Sequence, residues 1–187
     1  MRRAAALVSI PLLAAAAVAV AGCSSSSSAK PAASASSTAD SYTSVTVSGA
    51  FGKAPTVKIP KVKGTGPLLT KTVIQGTGAT LTSSEGMIGN YVAYDWSGTS
   101  SKLLGSSYQQ GAQSLFVGSL LPGLEKALIG QKLGSRVLAV IPPADGFGSS
   151  GNSTEGIGAS DTLVFVVDLN STFPDSVSGA QTSTGGG

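Results

Sequence analysis

The chain is predicted to fold as an α+β domain in which a mostly antiparallel sheet packs on one short helix. Three observations predict it. β-rich stretches with period-two alternation recur between residues 43 and 169, one stretch alone carries a helical apolar stripe, and no copy of the pattern follows. The recurring alternation excludes an all-helical bundle.

In chain order, residues 43–48 (Thr-Ser-Val-Thr-Val-Ser) alternate and predict a short strand, and residues 55–60 are an extended candidate bounded by Pro55 and Pro60. Residues 43–66 are therefore read as an N-terminal extension laid against the domain, which is placed at 67–173. Residues 70–75 are β-rich and stop at Gly76-Thr77-Gly78. Residues 88–96 (I-G-N-Y-V-A-Y-D-W) place Tyr91, Ala93 and Asp95 on one side and Val92, Tyr94 and Trp96 on the other. A brief strand is expected at 114–117. Residues 120–133 are the one credible helix, with Pro122 in its first turn, Leu124, Leu128 and Ile129 on its apolar stripe, and Gly134 closing it. Residues 136–141 form a strand stopped by Pro142-Pro143, a Gly/Ser loop spans 146–160, and 162–169 (T-L-V-F-V-V-D-L) is the strongest strand. The Gly/Ser/Thr-rich stretch 174–187 is expected to be a disordered tail.

The first residues predict where the chain works. Arg2 and Arg3 precede an apolar run from Ala4 to Ala21, followed by Gly22, Cys23 and a serine tract. The small residues before Cys23 resemble the lipobox of bacterial lipoproteins. That resemblance implies a signal peptide over 1–22, cleavage before Cys23 and acylation of that cysteine, placing the protein on the outer, extracytoplasmic face of the cell membrane. The Ser/Ala-rich stretch 23–42 cannot bury enough apolar surface to offset its ordering entropy and is read as a disordered tether. Cys23 is the only cysteine, so no disulfide is possible within the chain.

The 187 residues allow one modest domain with tails. The formal charge is +3; without Arg2 and Arg3 it is +1, ten bases against nine acids, which offers no case for nucleic-acid binding. The charge is uneven. Six lysines and one acid, Asp40, lie between Lys30 and Lys71, and such a stretch either rests on anionic lipid headgroups or is a solvated arm. Histidine is absent, which excludes histidine general-base catalysis, histidine-containing triads and most zinc-site designs. No cofactor is called for.

From residue 115 the chain reads L-F-V-G-S-L-L-P-G-L, then K-L-G-S-R-V-L-A-V-I-P-P-A-D-G-F-G and T-L-V-F-V-V-D-L, with Y-V-A-Y-D-W-S-G upstream. In this order the segments resemble FKBP-type peptidyl-prolyl cis–trans isomerases over residues 73–169. The opening G-A-F-G-K-A-P-T-V is similar to the openings of actinobacterial secreted members. The resemblance implies a five-stranded sheet wrapped around the helix, with an apolar pocket between them. It implies that Tyr94 is the pocket tyrosine, that Leu120 and Leu121 are the pair before the helix, and that the Leu121 N–H donates to a ligand carbonyl. Leu124 takes the floor where many members have tryptophan, Phe147 stands where a tyrosine is usual, Ile157 lies on a flexible loop, and Phe165 is the aromatic wall. Leu104 replaces a common phenylalanine. By composition alone, these are ordinary core residues.

Rotation about an Xaa-Pro bond needs no nucleophile or metal; the task is a torsional barrier of roughly 20 kcal/mol. A dry apolar pocket favours the twisted, less polar imide and holds the proline ring. The expected partners are proline-containing segments of exported proteins. Gly105 departs from the family, standing where its pocket aspartate is usual, and Gln113 stands near a customary phenylalanine. Together with Phe147 these departures imply slower catalysis and weak macrolide binding. Two other readings of the same residues are a catalytically weak peptide-binding module and a lipoprotein that uses the fold as a spacer.

Overall fold

The computed structural model describes residues 41–174. The signal peptide, Cys23, nearly all of the 23–42 tether and the tail beyond residue 174 lie outside the described residues. The described residues contain eight strands and one α-helix: β1 (Thr46–Ser48), β2 (Thr56–Lys58), β3 (Leu69–Ile74), β4 (Glu85–Ser97), β5 (Ser100–Ser106), β6 (Gln113–Phe116), α1 (Pro122–Leu128), β7 (Arg136–Ile141) and β8 (Thr162–Pro174). β1 and β2 form a small antiparallel pair of their own. The main sheet runs β3-β7-β8-β4-β5, and β6 pairs with the first half of β4. Every pairing is antiparallel. The α+β class holds, with a sixth strand added to the five of the main path.

The sheet is covered on both sides. β7 alternates Val137, Ala139 and Ile141 toward the helix with Leu138 and Val140 toward the other face, and all are buried. On the helix face the core gathers Leu124, Ala127, Leu128, Met87, Leu163, Val167 and Leu169. Gly123 makes this contact possible. A Cβ there would lie 2.5 Å from Ile141 Cγ2, so the first turn of α1 approaches β7 as only glycine allows.

The opposite face carries a second core, in which Val92, Trp96, Leu138, Val140, Val164 and Val166 meet Tyr42 and Val45, flanked by Val47, Val57 and Ile59. The segment 41–63 is thus a strap across the back of the sheet. Arg136 and Asp168 hold it. Neither side chain is exposed, Arg136 Nε donates to Asp168 Oδ1 at 2.6 Å, and Arg136 also donates to the Gly49 and Lys53 carbonyls. Asp168 Oδ2 accepts the Gly52 N–H at 2.7 Å.

Two elements differ from expectation. The helix ends at Leu128, five residues early, because Ile129 is extended and Gly130 takes a positive φ of 84°; Lys132 then bridges to Thr80. Gly130, not Gly134, is the stop, and Ile129 is exposed rather than part of the stripe. The sequence of β5 carries no clear strand signal. Its Ser/Gly/Lys-rich sequence has low strand propensity, and it forms because the two-residue Gly98-Thr99 turn folds it back on β4, pairing Ser97 with Ser100.

Candidate functional site

Two adjoining apolar recesses open on the helix face, about 210 and 230 Å³ in volume. Tyr91, Leu121 and Phe165 belong to both and form the wall between them. The first recess adds Ala93, Leu104, Gly105, Phe147, Ile157 and Leu163, with Glu155 at its rim. The second adds Leu115, Leu120, Leu124 and Val167, with Ser119 as its polar member.

Strand register puts these groups together. Ala93 is paired with Gly105 on β5 and with Phe165 on β8, so three neighbouring strands supply one patch of wall. Leu120 and Leu121 precede α1, whose Pro122 sits at its first position, and one turn of helix brings Leu124 beneath them. Ile157 is fixed by reciprocal backbone bonds, Asn152 N–H to Ile157 O and Ile157 N–H to Asn152 O, both 2.8 Å. This bridge closes the turn that carries Ile157.

Of the site residues proposed from sequence, Leu104, Leu120, Leu121, Leu124, Phe147, Ile157 and Phe165 all line one or both recesses. Tyr94 does not. It packs with Val92 and Trp96 against the strap core, because alternation along β4 sends it to the face away from α1. Tyr91, on the same side as Ala93, takes the place expected of Tyr94. Gln113 does not line either recess; Leu115, two residues on, lines the second. The alternation in I-G-N-Y-V-A-Y-D-W was the signal that could have found Tyr91.

Polar groups at the site are few. The Leu121 N–H and the Tyr91 hydroxyl have no hydrogen-bond partner among the described residues, so both are free to meet a ligand carbonyl. A Cβ at Gly105 would stand 3.9 Å from the Tyr91 hydroxyl, an ordinary contact. Beside the first recess, Asp95 is 4% exposed and its Oδ1 has no hydrogen-bond partner. Burial, and then the neighbouring Asp161 carboxylate, push the Asp95 carboxyl above the ordinary aspartate range, partly offset by Lys102. Among the described residues no three metal-ligating side chains converge, and no helix is long and apolar enough to cross a membrane.

A recess of this kind, framed by one helix and an antiparallel sheet, has known counterparts. Residues 83–170 match the family model of FKBP-type peptidyl-prolyl cis-trans isomerases. This segment is an FKBP-type domain. It contains the whole lining of both recesses, while the strap and β3 lie before it. Among solved structures, FkpA from Escherichia coli is 28% identical with a TM-score of 0.52, over 58% of this chain and 49% of that one. A peptidyl-prolyl cis-trans isomerase from Pseudomonas syringae is 24% identical with a TM-score of 0.50, over 56% of this chain and 74% of that one. The N-terminal domain of FKBP42 from Arabidopsis thaliana is 19% identical with a TM-score of 0.51, over 57% and 87%. These two likenesses are of fold. No curated protein sequence matches the chain.

Proposed function

We propose that this FKBP-type domain catalyses cis–trans isomerisation of Xaa-Pro bonds in exported polypeptides, held at the outer face of the cell membrane through acylated Cys23. The observation that carries the catalytic reading is the paired apolar recess sharing Tyr91, Leu121 and Phe165, with a free N–H at its lip. Leu124, Leu120 and Phe165 hold the proline ring, and Leu104, Phe147 and Ile157 hold the neighbouring residue. The Leu121 N–H and Tyr91 hydroxyl orient the flanking carbonyls. Water is excluded around the imide, and its twisted state, which has lost amide resonance and polarity, is favoured over the planar ground state.

The test is a protease-free isomerisation assay on Xaa-Pro peptides with the full chain. A rate above background that falls in Phe165→Ala, with the fold intact by circular dichroism, supports catalysis; no rate at high enzyme concentration removes it. Gly105 and Phe147 favour a second reading, a module that binds proline-containing segments with little turnover, since neither supplies the polar side chain usual there. Peptide affinity without rate enhancement selects that reading. Intact mass of the membrane-extracted protein tests acylation of Cys23 separately.

A further inference from the structure

The strap builds a basic face on the side of the sheet opposite the recess. Between residues 41 and 84 there are five lysines (Lys53, Lys58, Lys61, Lys63 and Lys71) and no acid, and all five are exposed. From 85 to 174 the balance reverses, with seven acids against four bases. Each lysine is fixed to the strap side by a contact of its own segment. The Lys53 carbonyl accepts Arg136 Nη2, and Val57, next to Lys58, packs into the strap core, so alternation turns Lys58 outward. Trp96 Nε1 donates to the Val62 carbonyl between Lys61 and Lys63, and Ser41 Oγ donates to the Lys63 carbonyl. Lys71 is directly opposite Leu138, and opposed residues of an antiparallel pair share a face, here the strap face. Two large apolar side chains stand exposed among these lysines, Phe51 at 36% and Val62 at 50%.

We propose that this face docks on an anionic lipid surface, with the lysines over the headgroups and Phe51 and Val62 at the interface, so that the recess opens away from the membrane. Interspersed cations and apolar groups on one rigid face suit a bilayer interface, and no acid of residues 41–84 opposes the attraction. Orientation follows from this charge asymmetry. It requires no acylation, so its failure is distinguishable from failure of the lipid anchor or of isomerase activity.

The test uses the chain from residue 23 onward with Cys23→Ser, which lacks the apolar run 4–21, and vesicles of phosphatidylcholine with or without phosphatidylglycerol. Binding is expected to be stronger on the anionic vesicles and to weaken with salt. Each lysine of the face changed to glutamine is expected to cost about fivefold in partitioning, the equivalent of ~1 kcal/mol per basic residue near a charged surface. Lys132→Gln, outside the strap, serves as the control with little change. Phe51→Trp is expected to be quenched by brominated anionic lipid, whereas Trp at Ile129, beyond α1, is not. Equal binding to both vesicle types, an unaffected five-lysine variant with the native circular dichroism spectrum, or quenching at position 129 instead of 51 overturns the proposal. So does equally strong, lysine-dependent binding to an oligonucleotide, which would make the face a general polyanion site.

Discussion

Two single residues at the recess carry the sharpest consequences. Gly105 leaves the Tyr91 hydroxyl without a partner, and a side chain added there meets only the edge of that ring at 3.9 Å. Gly105→Asp therefore fits without displacing backbone and gives the hydroxyl an acceptor, fixing its orientation toward a bound carbonyl. The expected outcome is higher kcat/KM on Xaa-Pro peptides with an unchanged fold; no gain means that the missing carboxylate does not limit turnover. Asp95 is the second. Its raised carboxyl is favoured protonated in the folded state, so its contribution to stability is fully present below the unfolded aspartate range and is lost as pH rises through the folded value. Asp95→Asn keeps the shape, supplies an amide that can donate toward Asp161, and removes the titration. The variant is expected to be more stable than the parent at neutral pH and to show a flatter dependence as pH rises above the ordinary aspartate range, measured by denaturant midpoints. An unchanged slope would assign the dependence elsewhere.

At the scale of elements, the Arg136–Asp168 pair joins β7 to β8 and both to the strap. The pair is fully enclosed, so removing one partner leaves a charge with neither water nor a counter-ion; such losses cost about 3–5 kcal/mol. Arg136→Met is expected to destabilise by that amount and to speed hydrogen exchange of the Gly52 amide, which donates to Asp168. Adding Asp168→Leu is expected to restore part of the stability in thermal unfolding, and no recovery would mean that the strap carbonyls, not the stranded carboxylate, carry the cost. This pair was not legible in the sequence, because nothing local links residues 32 positions apart. β7 and β8 were legible, since runs of Val, Leu and Ile buried on both faces leave no other stable placement. The helix start is legible in Pro122, but its end is not, because Gly130 and Gly134 both offer a stop and long-range bonding of residues 130–133 to residues 79–81 decides between them. Most of the recess could be read from ordered family resemblance. Motif spacing points to Tyr94, whereas strand alternation in the same nine residues points to Tyr91, and alternation decides which face each side chain takes.

For the whole molecule the question is where the folding unit begins. The domain placed at 67–173 omits the strap, yet the strap supplies one side of a core. Without it Trp96, Val92, Leu138, Val140, Val164 and Val166 would face water as one continuous apolar sheet surface. Of the strap side chains Tyr42 and Val45 are fully buried there, while Val47, Val57 and Ile59 are partly buried; at about 1.5–3 kcal/mol for each full burial and roughly half that for the others, they contribute on the order of 5–10 kcal/mol. That falls within the total of roughly 5–15 kcal/mol by which a domain of this size is stable, so the strap decides between folded and unfolded. Its removal also strands Arg136 without the Gly49 and Lys53 carbonyls. A chain beginning at Pro67 is therefore expected to lack a cooperative unfolding transition and to bind a hydrophobic dye, whereas one beginning at Ser41 unfolds in one step and keeps its ordered tryptophan signal. Because the recess is built on the reverse of the same strands, the shorter chain is also expected to lose peptide binding although it retains every recess residue. A cooperative transition and native peptide affinity in the Pro67 chain would reduce the strap to a dispensable cover.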